Sequence, residues 1–112
     1  MTGEPTHFEL GVADVGQAET FYGQLLGWRF HELGNGAWID TGGVRGGVHP
    51  DDPTPGIVVY FEVSDIDAAL RRVAELGGTP GEASPPQPGF GSFAECQDDQ
   101  GARFGLHQPS VA

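Results

Sequence analysis

The sequence predicts an α+β fold built from two copies of one strand–helix–strands unit. The same pattern of strand, Asp, amphipathic helix and Gly occurs twice, about 51 positions apart. This shift aligns Val12, Asp14, Val15, Ala18, Leu25 and Gly27 with Val63, Asp65, Ile66, Ala69, Leu76 and Gly78. In addition, 19 Gly and nine Pro residues indicate the many tight turns that a sheet of short strands requires.

Composition and length limit the possible classes of protein. A chain of 112 residues with 38% hydrophobic residues has room for one domain, which we assign to residues 1–112. The formal charge of −11, with only five Lys and Arg residues, argues against nucleic acid binding, which requires basic side chains. The sequence contains no membrane-length apolar run and no secretory signal pattern, and its single Cys96 allows no internal disulfide. We therefore expect a cytoplasmic protein with no membrane partner.

Module one is predicted to span about residues 5–50. Its first strand, residues 6–12, places Phe8, Leu10 and Val12 on the side that packs under the helices, and His7, Glu9 and Gly11 on the other. Asp14 is expected to cap a helix that ends at Gly27 and is buried through Val15, Ala18, Tyr22 and Leu25. Three strands should follow, at residues 28–33, 37–41 and 44–49, with a hairpin turn at residues 34–36. Residues 50–56 have the composition of a linker.

Module two is predicted to span about residues 56–108. Its strand, residues 57–63, leads into a helix capped by Ser64 or Asp65 and stopped by Gly77 and Gly78. The apolar face of this helix contains Ile66, Ala69, Leu70, Val73 and Leu76. Residues 79–83 are a candidate strand, the prolines of residues 84–91 predict a loop, and residues 92–97 and 102–107 predict a hairpin. Cys96 should be an inert core thiol.

Three stretches resemble the vicinal oxygen chelate superfamily, which contains glyoxalase I, bleomycin-resistance proteins and extradiol dioxygenases. They are THFELGVADVGQAETFYGQLLGWRF, VVYFEVSDIDAALRRVAELGGTP and PGFGSFAECQDDQGARFGLHQP, and together they span nearly the whole chain. The resemblance implies two pseudo-symmetric βαβββ modules that form a curved mixed sheet. This sheet would be an open barrel or cup with the helices outside and the ligand site inside.

The resemblance also implies where a divalent metal would bind. Metal-dependent members of the family use up to four His, Glu or Gln side chains from the first and last strands of each module. These positions fall on His7, Gly47, Val58 and Gly105. A single imidazole cannot hold Zn²⁺, Fe²⁺ or Mn²⁺ usefully, so we predict that the usual metal site is missing and that no cofactor is bound.

A displaced metal site is the alternative. His49 and His107 lie two residues beyond the glycines and therefore share their strand faces. Together with His7 and Glu9 they would form a different cluster, as in a metal-dependent lyase or dioxygenase with displaced ligands.

The predicted inner face contains the candidate ligand-binding residues His7, Glu9, Trp38, His49, Val58, Tyr60, Glu62 and His107. Its mixture of aromatic surface and polar groups suits a small organic ligand. We therefore predict a small-molecule-binding protein of the glyoxalase and bleomycin-resistance type. The alternative is a cofactorless lyase, isomerase or cyclase that uses Glu9 or His7 as a general base. Exposed sheet edges also predict a homodimer, as is frequent in the family.

Overall fold

A computed structural model of the chain describes residues 3–110, in which two helices and seven strands form. The elements in chain order are β1 (Pro5–Gly11), α1 (Val15–Leu26), β2 (Arg29–Leu33), β3 (Gly36–Asp40), β4 (Arg45–His49), β5 (Gly56–Glu62), α2 (Ile66–Glu75), β6 (Ser92–Gln97) and β7 (Arg103–Gln108). Two compact units result: residues 7–57, here called the N-terminal unit, and residues 58–110 with residues 3–6, called the C-terminal unit. Neither α1 nor α2, the helices of residues 3–110, is long and apolar enough to cross a membrane.

In the N-terminal unit the strands lie in the order β2-β3-β4-β1. Strands β1 and β4 are parallel, whereas β2 with β3 and β3 with β4 are antiparallel. Helix α1 begins as predicted, because Oδ1 of Asp14 accepts a hydrogen bond from the Gln17 amide at 2.9 Å. It also ends as predicted, at Gly27, whose φ of 74° is readily adopted only by glycine.

The core of the N-terminal unit lies between α1 and one face of its sheet. Its buried residues are Leu10, Ala18, Ala37, Ile39 and Val48, with Phe8, Val12, Val15, Tyr22, Trp28 and Phe30 packed against them. The predicted burial of Leu25 is wrong, since this side chain is 64% exposed. The Trp28 ring stacks on Tyr22 with centroids 5.2 Å apart and lies 5.1 Å from Phe8, so these three aromatic rings pack together against the core.

The C-terminal unit repeats this arrangement. Strand β5 is parallel to β7, and β7 is antiparallel to β6, so each unit pairs its first strand with its last. Asp65 caps α2 by accepting a hydrogen bond from the Ala68 amide at 3.1 Å, and Gly77 provides the left-handed stop with φ of 93°. The predicted α+β fold with two repeated modules is therefore confirmed, and the boundary between the units falls close to the predicted linker.

Module two departs from the predicted elements in two places. The candidate strand at residues 79–83 is reduced to a single bridge between Thr79 and Gln97, whose backbone groups exchange both hydrogen bonds at 2.9 Å. Leu76 is exposed, not buried, because it lies beyond the last residue of α2. The core contains Ile66, Ala94, Cys96 and Leu106, which confirms the predicted burial of Cys96.

Candidate functional site

The face of the N-terminal sheet opposite α1 is lined by polar and aromatic side chains. Successive side chains of a strand point to opposite faces, so His7 and Glu9 lie on the side of β1 away from the core. The parallel register places Glu9 beside Gly47 of β4, and the antiparallel register places Trp38 of β3 on the other side of the same glycine. We call this surface the polar face.

A hydrogen-bonded group of three side chains occupies one end of the polar face. His49 Nδ1 lies 2.7 Å from Oε2 of Glu9, and His49 Nε2 lies 2.9 Å from Oδ2 of Asp52. The hydrogen bond with Glu9 raises the pKa of His49, the second bond to Asp52 adds to this effect, and partial burial opposes it. With one carboxylate at each ring nitrogen, the imidazolium is favoured, because both nitrogens can then donate.

Sequence reasoning missed Asp52, which lies in the segment interpreted as a linker. The chain turns back against the end of β1, where the Asp52 amide donates to the Val12 carbonyl at 3.0 Å and Asp51 adopts a positive φ of 58°. Gly11 makes this close approach feasible, since a Cβ there would collide with the Asp52 carboxylate. The only indication of this contact in the sequence was an Asp placed three residues after a His at the end of a strand.

The remaining predicted residues of this unit also lie on the polar face. His7 is buried, and its Nε2 lies 3.6 Å from Oε1 of Glu9, which is an electrostatic contact longer than a hydrogen bond. The Trp38 ring stacks on His31 with centroids 4.2 Å apart, and the Arg45 guanidinium lies 5.9 Å from its centroid. The structure thus brings His7, Glu9, Trp38 and His49 onto one surface.

The four predicted residues of the C-terminal unit have different surroundings. Val58 and Tyr60 are buried, and Glu62 is half-buried. His107 Nε2 donates to the Phe90 carbonyl at 2.7 Å, so its Nδ1 accepts from the Thr6 hydroxyl at 2.8 Å. The two ring nitrogens of His107 are therefore engaged in structural hydrogen bonds. A ligand-binding role for these four residues remains a prediction.

The residues present do not fit the divalent metal that the family implies. Gly47 and Gly105 pair with Glu9 and Tyr60, which are themselves equivalent under the 51-residue shift. A Cβ on Gly47 would lie 2.6 Å from Glu9 Oε1, and a Cβ on Gly105 would run into the Tyr60 ring. The space of these two ligand positions is thus filled by neighbouring side chains.

The residues present do not fit a displaced metal site either. His49 is the strongest candidate for such a ligand, but a metal would have to replace a carboxylate at one of its two ring nitrogens. Between residues 3 and 110, no group of three or more His, Cys, Asp or Glu side chains is arranged to hold a metal ion.

Comparison with known proteins shows what the chain is similar to. Residues 5–42 match the family described as bleomycin resistance protein-like, N-terminal. A glyoxylase-like domain-containing protein of Didymella fabae is 28% identical over 91 residues, which are 70% of this chain and 71% of that protein. An anthracycline biosynthesis protein, DauV, of Streptomyces sp. (strain C5) is 32% identical over 116 residues. That match covers 88% of this chain but 38% of the relative, so the chain corresponds to only part of it.

Solved structures agree on the fold. Methylmalonyl-CoA epimerase from Mycobacterium tuberculosis superposes with a TM-score of 0.68 at 22% identity, over 96% of this chain and 88% of the epimerase. The predicted resemblance to the vicinal oxygen chelate superfamily is therefore confirmed at the level of the fold. In sequence the chain is similar to glyoxalase-like and bleomycin-resistance-like proteins.

Proposed function

We propose that this chain binds a small organic molecule without a divalent metal, and that the ligand contacts Glu9 on the polar face. The observation on which the proposal depends is the position of the Glu9 carboxylate. One oxygen is bound to His49, and the other, Oε1, lies beside Gly47 and 3.6 Å from His7 Nε2. The Glu9 side chain is 26% exposed, so part of this carboxylate side chain can be contacted by a ligand.

The chemical character of the polar face supports this proposal. Small-molecule sites combine aromatic or apolar surface with a few fixed polar groups. Here the stacked rings of Trp38 and His31 lie on the same sheet face as Glu9. The similarity to a bleomycin-resistance-like family and to an anthracycline biosynthesis protein also favours a ligand of natural-product type.

The test is a ligand screen on metal-free protein. The protein is dialysed against EDTA, its metal content is measured by mass spectrometry, and a library of small aromatic compounds is screened by thermal shift and calorimetry. We expect hits whose affinity is unchanged by EDTA and falls at least tenfold in Glu9→Gln. The exposed Glu32→Gln variant, which makes the same charge change on β2, is the matched control. One tightly held metal ion per chain that binding requires would overturn the proposal.

A cofactorless lyase, isomerase or cyclase is the second candidate, because Glu9 also has the surroundings of a general base. Its Oε1 would take a proton from a bound substrate, while His49 holds Oε2 and Asp52 fixes the orientation of the His49 ring. His7, 3.6 Å from the same oxygen, is the alternative base. Loss of turnover with retained ligand binding in Glu9→Gln or His7→Gln would favour the enzyme, whereas the absence of any turnover would favour the binding protein.

We also propose that the chain forms a homodimer. Strand β2 is the edge of the N-terminal sheet, and on the outer surface of α1 the side chains of Phe21, Leu25 and Leu26 are more than half exposed. Exposed strand edges and apolar patches favour self-association. Light scattering on the eluting protein should give twice the mass of the chain, and a monomer at all concentrations would contradict this. The predicted cytoplasmic location likewise remains a prediction.

A further inference from the structure

We infer that a crevice in the C-terminal unit, between the end of α2 and the turn of the β6–β7 hairpin, binds a small amine that carries an apolar group. The crevice has a volume of about 350 Å³ and is lined by Val73, Leu76, Gly78, Asp98, Asp99 and Phe104. Small-molecule pockets span about 300–1,000 Å³, so this volume suits a compact ligand. The lining residues all lie outside the polar face, so the inference adds a second site and does not depend on the proposed function.

The apolar part of the lining is only partly covered by the protein itself. Val73 of α2 and Phe104 of β7 pack against the core of the C-terminal unit, but both are only half-buried. Leu76, directly after α2, is 60% exposed. An apolar ligand group that removes these three side chains from water would be bound favourably.

The turn of the hairpin, residues 98–102, supplies two carboxylates to the crevice. Oδ1 of Asp98 accepts hydrogen bonds from the amides of Ala102 at 2.9 Å and Gln100 at 2.8 Å, which fix the carboxylate in the turn. These bonds, that from Ala102 most strongly, hold the pKa of Asp98 below its usual range, so the group is ionised at neutral pH. Asp99 follows directly and is exposed, and its Cβ lies 3.7 Å from the position that a Cβ on Gly77 would take. The end of α2 and the carboxylates of the turn are thus within reach of one small molecule.

The charge at the crevice favours a cation. The C-terminal unit has nine side-chain carboxylates and three arginines. Arg72 is bonded to Glu75 at 3.2 Å and Arg103 to Glu95 at 2.9 Å, so in the described part of the chain these arginines are paired with carboxylates outside the turn. The C-terminal end of α2 adds partial negative charge. A protonated amine donates up to three hydrogen bonds and carries the charge that ionised carboxylates bind best.

The apolar lining and the carboxylates lie side by side, so both parts of the ligand are defined. The apolar group would contact Val73, Leu76 and Phe104, and the ammonium group would lie at Asp98 and Asp99. A ligand with only one of these two parts should bind more weakly, because the other half of the crevice would remain in water.

The test uses 2-phenylethylamine, which is protonated at neutral pH. Its controls are 2-phenylethanol, a neutral molecule of the same shape, and methylamine, which has the charge without the apolar group. Binding at low ionic strength is followed by NMR through the backbone amide signals of residues 76–78 and 98–102. We expect saturable shifts at these signals and an affinity for the amine at least about fivefold higher than for the alcohol, which is the factor expected for one exposed ion pair. Methylamine should bind more weakly as well.

Asp99→Asn tests the contribution of the charge. It should weaken 2-phenylethylamine about threefold, since the carboxylate of Asp98 remains. Asp67→Asn is the matched control, because Asp67 is also exposed and lies in the first turn of α2, at the other end of the helix. This variant makes the same change in net charge without touching the crevice.

Leu76→Ser tests the contribution of the apolar surface. It should weaken 2-phenylethylamine about threefold and leave methylamine unchanged. Leu25→Ser, at an exposed leucine of the N-terminal unit, is the matched control. All four substituted side chains are exposed, so the variants should fold, and thermal melting verifies this.

The outcomes are distinct from those of the ligand screen. Equal affinity for the amine and the alcohol, equal effects of Asp99→Asn and Asp67→Asn, or the absence of saturable shifts at residues 76–78 and 98–102 would overturn the crevice as an amine site. Each of these results leaves the proposed function intact, because binding at the polar face depends on Glu9. A screen without Glu9-dependent ligands would likewise leave the amine site intact.

Discussion

Replacement of Asp52 by Asn should destabilise the protein at acidic pH and have little effect at alkaline pH. The substitution removes the negative charge that faces His49 Nε2 and retains an oxygen that can accept the amide hydrogen bond from Thr54. His49 has a pKa raised above its ordinary value of 6.5, chiefly by Glu9 and further by Asp52. A pKa raised by folding stabilises the folded state fully below the unfolded value, and this stabilisation is lost as the pH rises through the folded pKa.

The expected magnitude follows from the exposure of the pair. The His49 side chain is 45% exposed. We therefore expect the contact with Asp52 to contribute as much to the free energy of unfolding as an exposed ion pair does, about 0.2–1 kcal/mol, and less than a buried charged hydrogen bond. We therefore expect Asp52→Asn to lose about 1 kcal/mol at pH 5.5, where the imidazolium is present. An unfolding entropy of about 2.1 cal/mol/K per residue converts this into a decrease in Tm of about 4 °C.

Thermal melts at pH 5.5 and pH 9 test this prediction, with Asp51→Asn as the control. Asp51 is exposed and precedes Asp52 directly, and Asn tolerates its positive φ, so this variant changes the charge equally without touching His49. Equal losses of stability at the two pH values, or the same pH-dependent loss in Asp51→Asn, would refute the role assigned to the Asp52–His49 contact.

Three further substitutions test the packing. Ile39→Ala, at a fully buried position, should cost about 2–5 kcal/mol in urea unfolding, and a loss below 1 kcal/mol would contradict the assigned core. Gly105→Ala should cost about 1–3 kcal/mol because the methyl group overlaps the Tyr60 ring. In a double-mutant cycle Tyr60→Leu should reduce that cost, and additive effects of the two substitutions would contradict the contact. Leu25→Ser should change the free energy of unfolding by less than about 0.5 kcal/mol, since the side chain is exposed; a larger loss measured on isolated monomer would show that Leu25 is packed in the core.

Local sequence chemistry was sufficient to predict the elements of this fold. Asp14 and Asp65 could be recognised as helix caps because an alternating strand precedes each of them and residues with helical periodicity follow. These signals are contained within a few residues, so they do not depend on tertiary structure. Leu25 was misplaced for the opposite reason, since its burial depends on which part of the surface of α1 the sheet covers, and this is set by tertiary packing.

The candidate site was predictable only in part. The alternation of β1 placed His7 and Glu9 on one face, and the matching of the two modules placed a ligand position of the family on Gly47. That Gly47 lies between Glu9 and Trp38 is known only from the strand register. The contact between His49 and Asp52 was not predictable, because residues 50–56 have the composition of a linker. Residues 50–56 turn back over Gly11, and this follows from the pairing of β1 with β4, which the composition of the segment does not reveal.

Glycine at the family's metal positions has a structural consequence beyond the loss of two ligands. In each module the glycine pairs with a residue whose side chain occupies the space that a ligand side chain would need, and these residues are Glu9 in one module and Tyr60 in the other. Restoring a carboxylate at Gly105 would therefore require removal of the Tyr60 ring as well, since a buried aromatic ring cannot move aside without repacking its neighbours. The same pairing leaves a carboxylate above a bare backbone at Gly47 and an aromatic ring above a bare backbone at Gly105. The two halves of this duplicated fold thus present different chemistry at equivalent positions, and Glu9, the charged one, is where we expect ligand recognition to be concentrated.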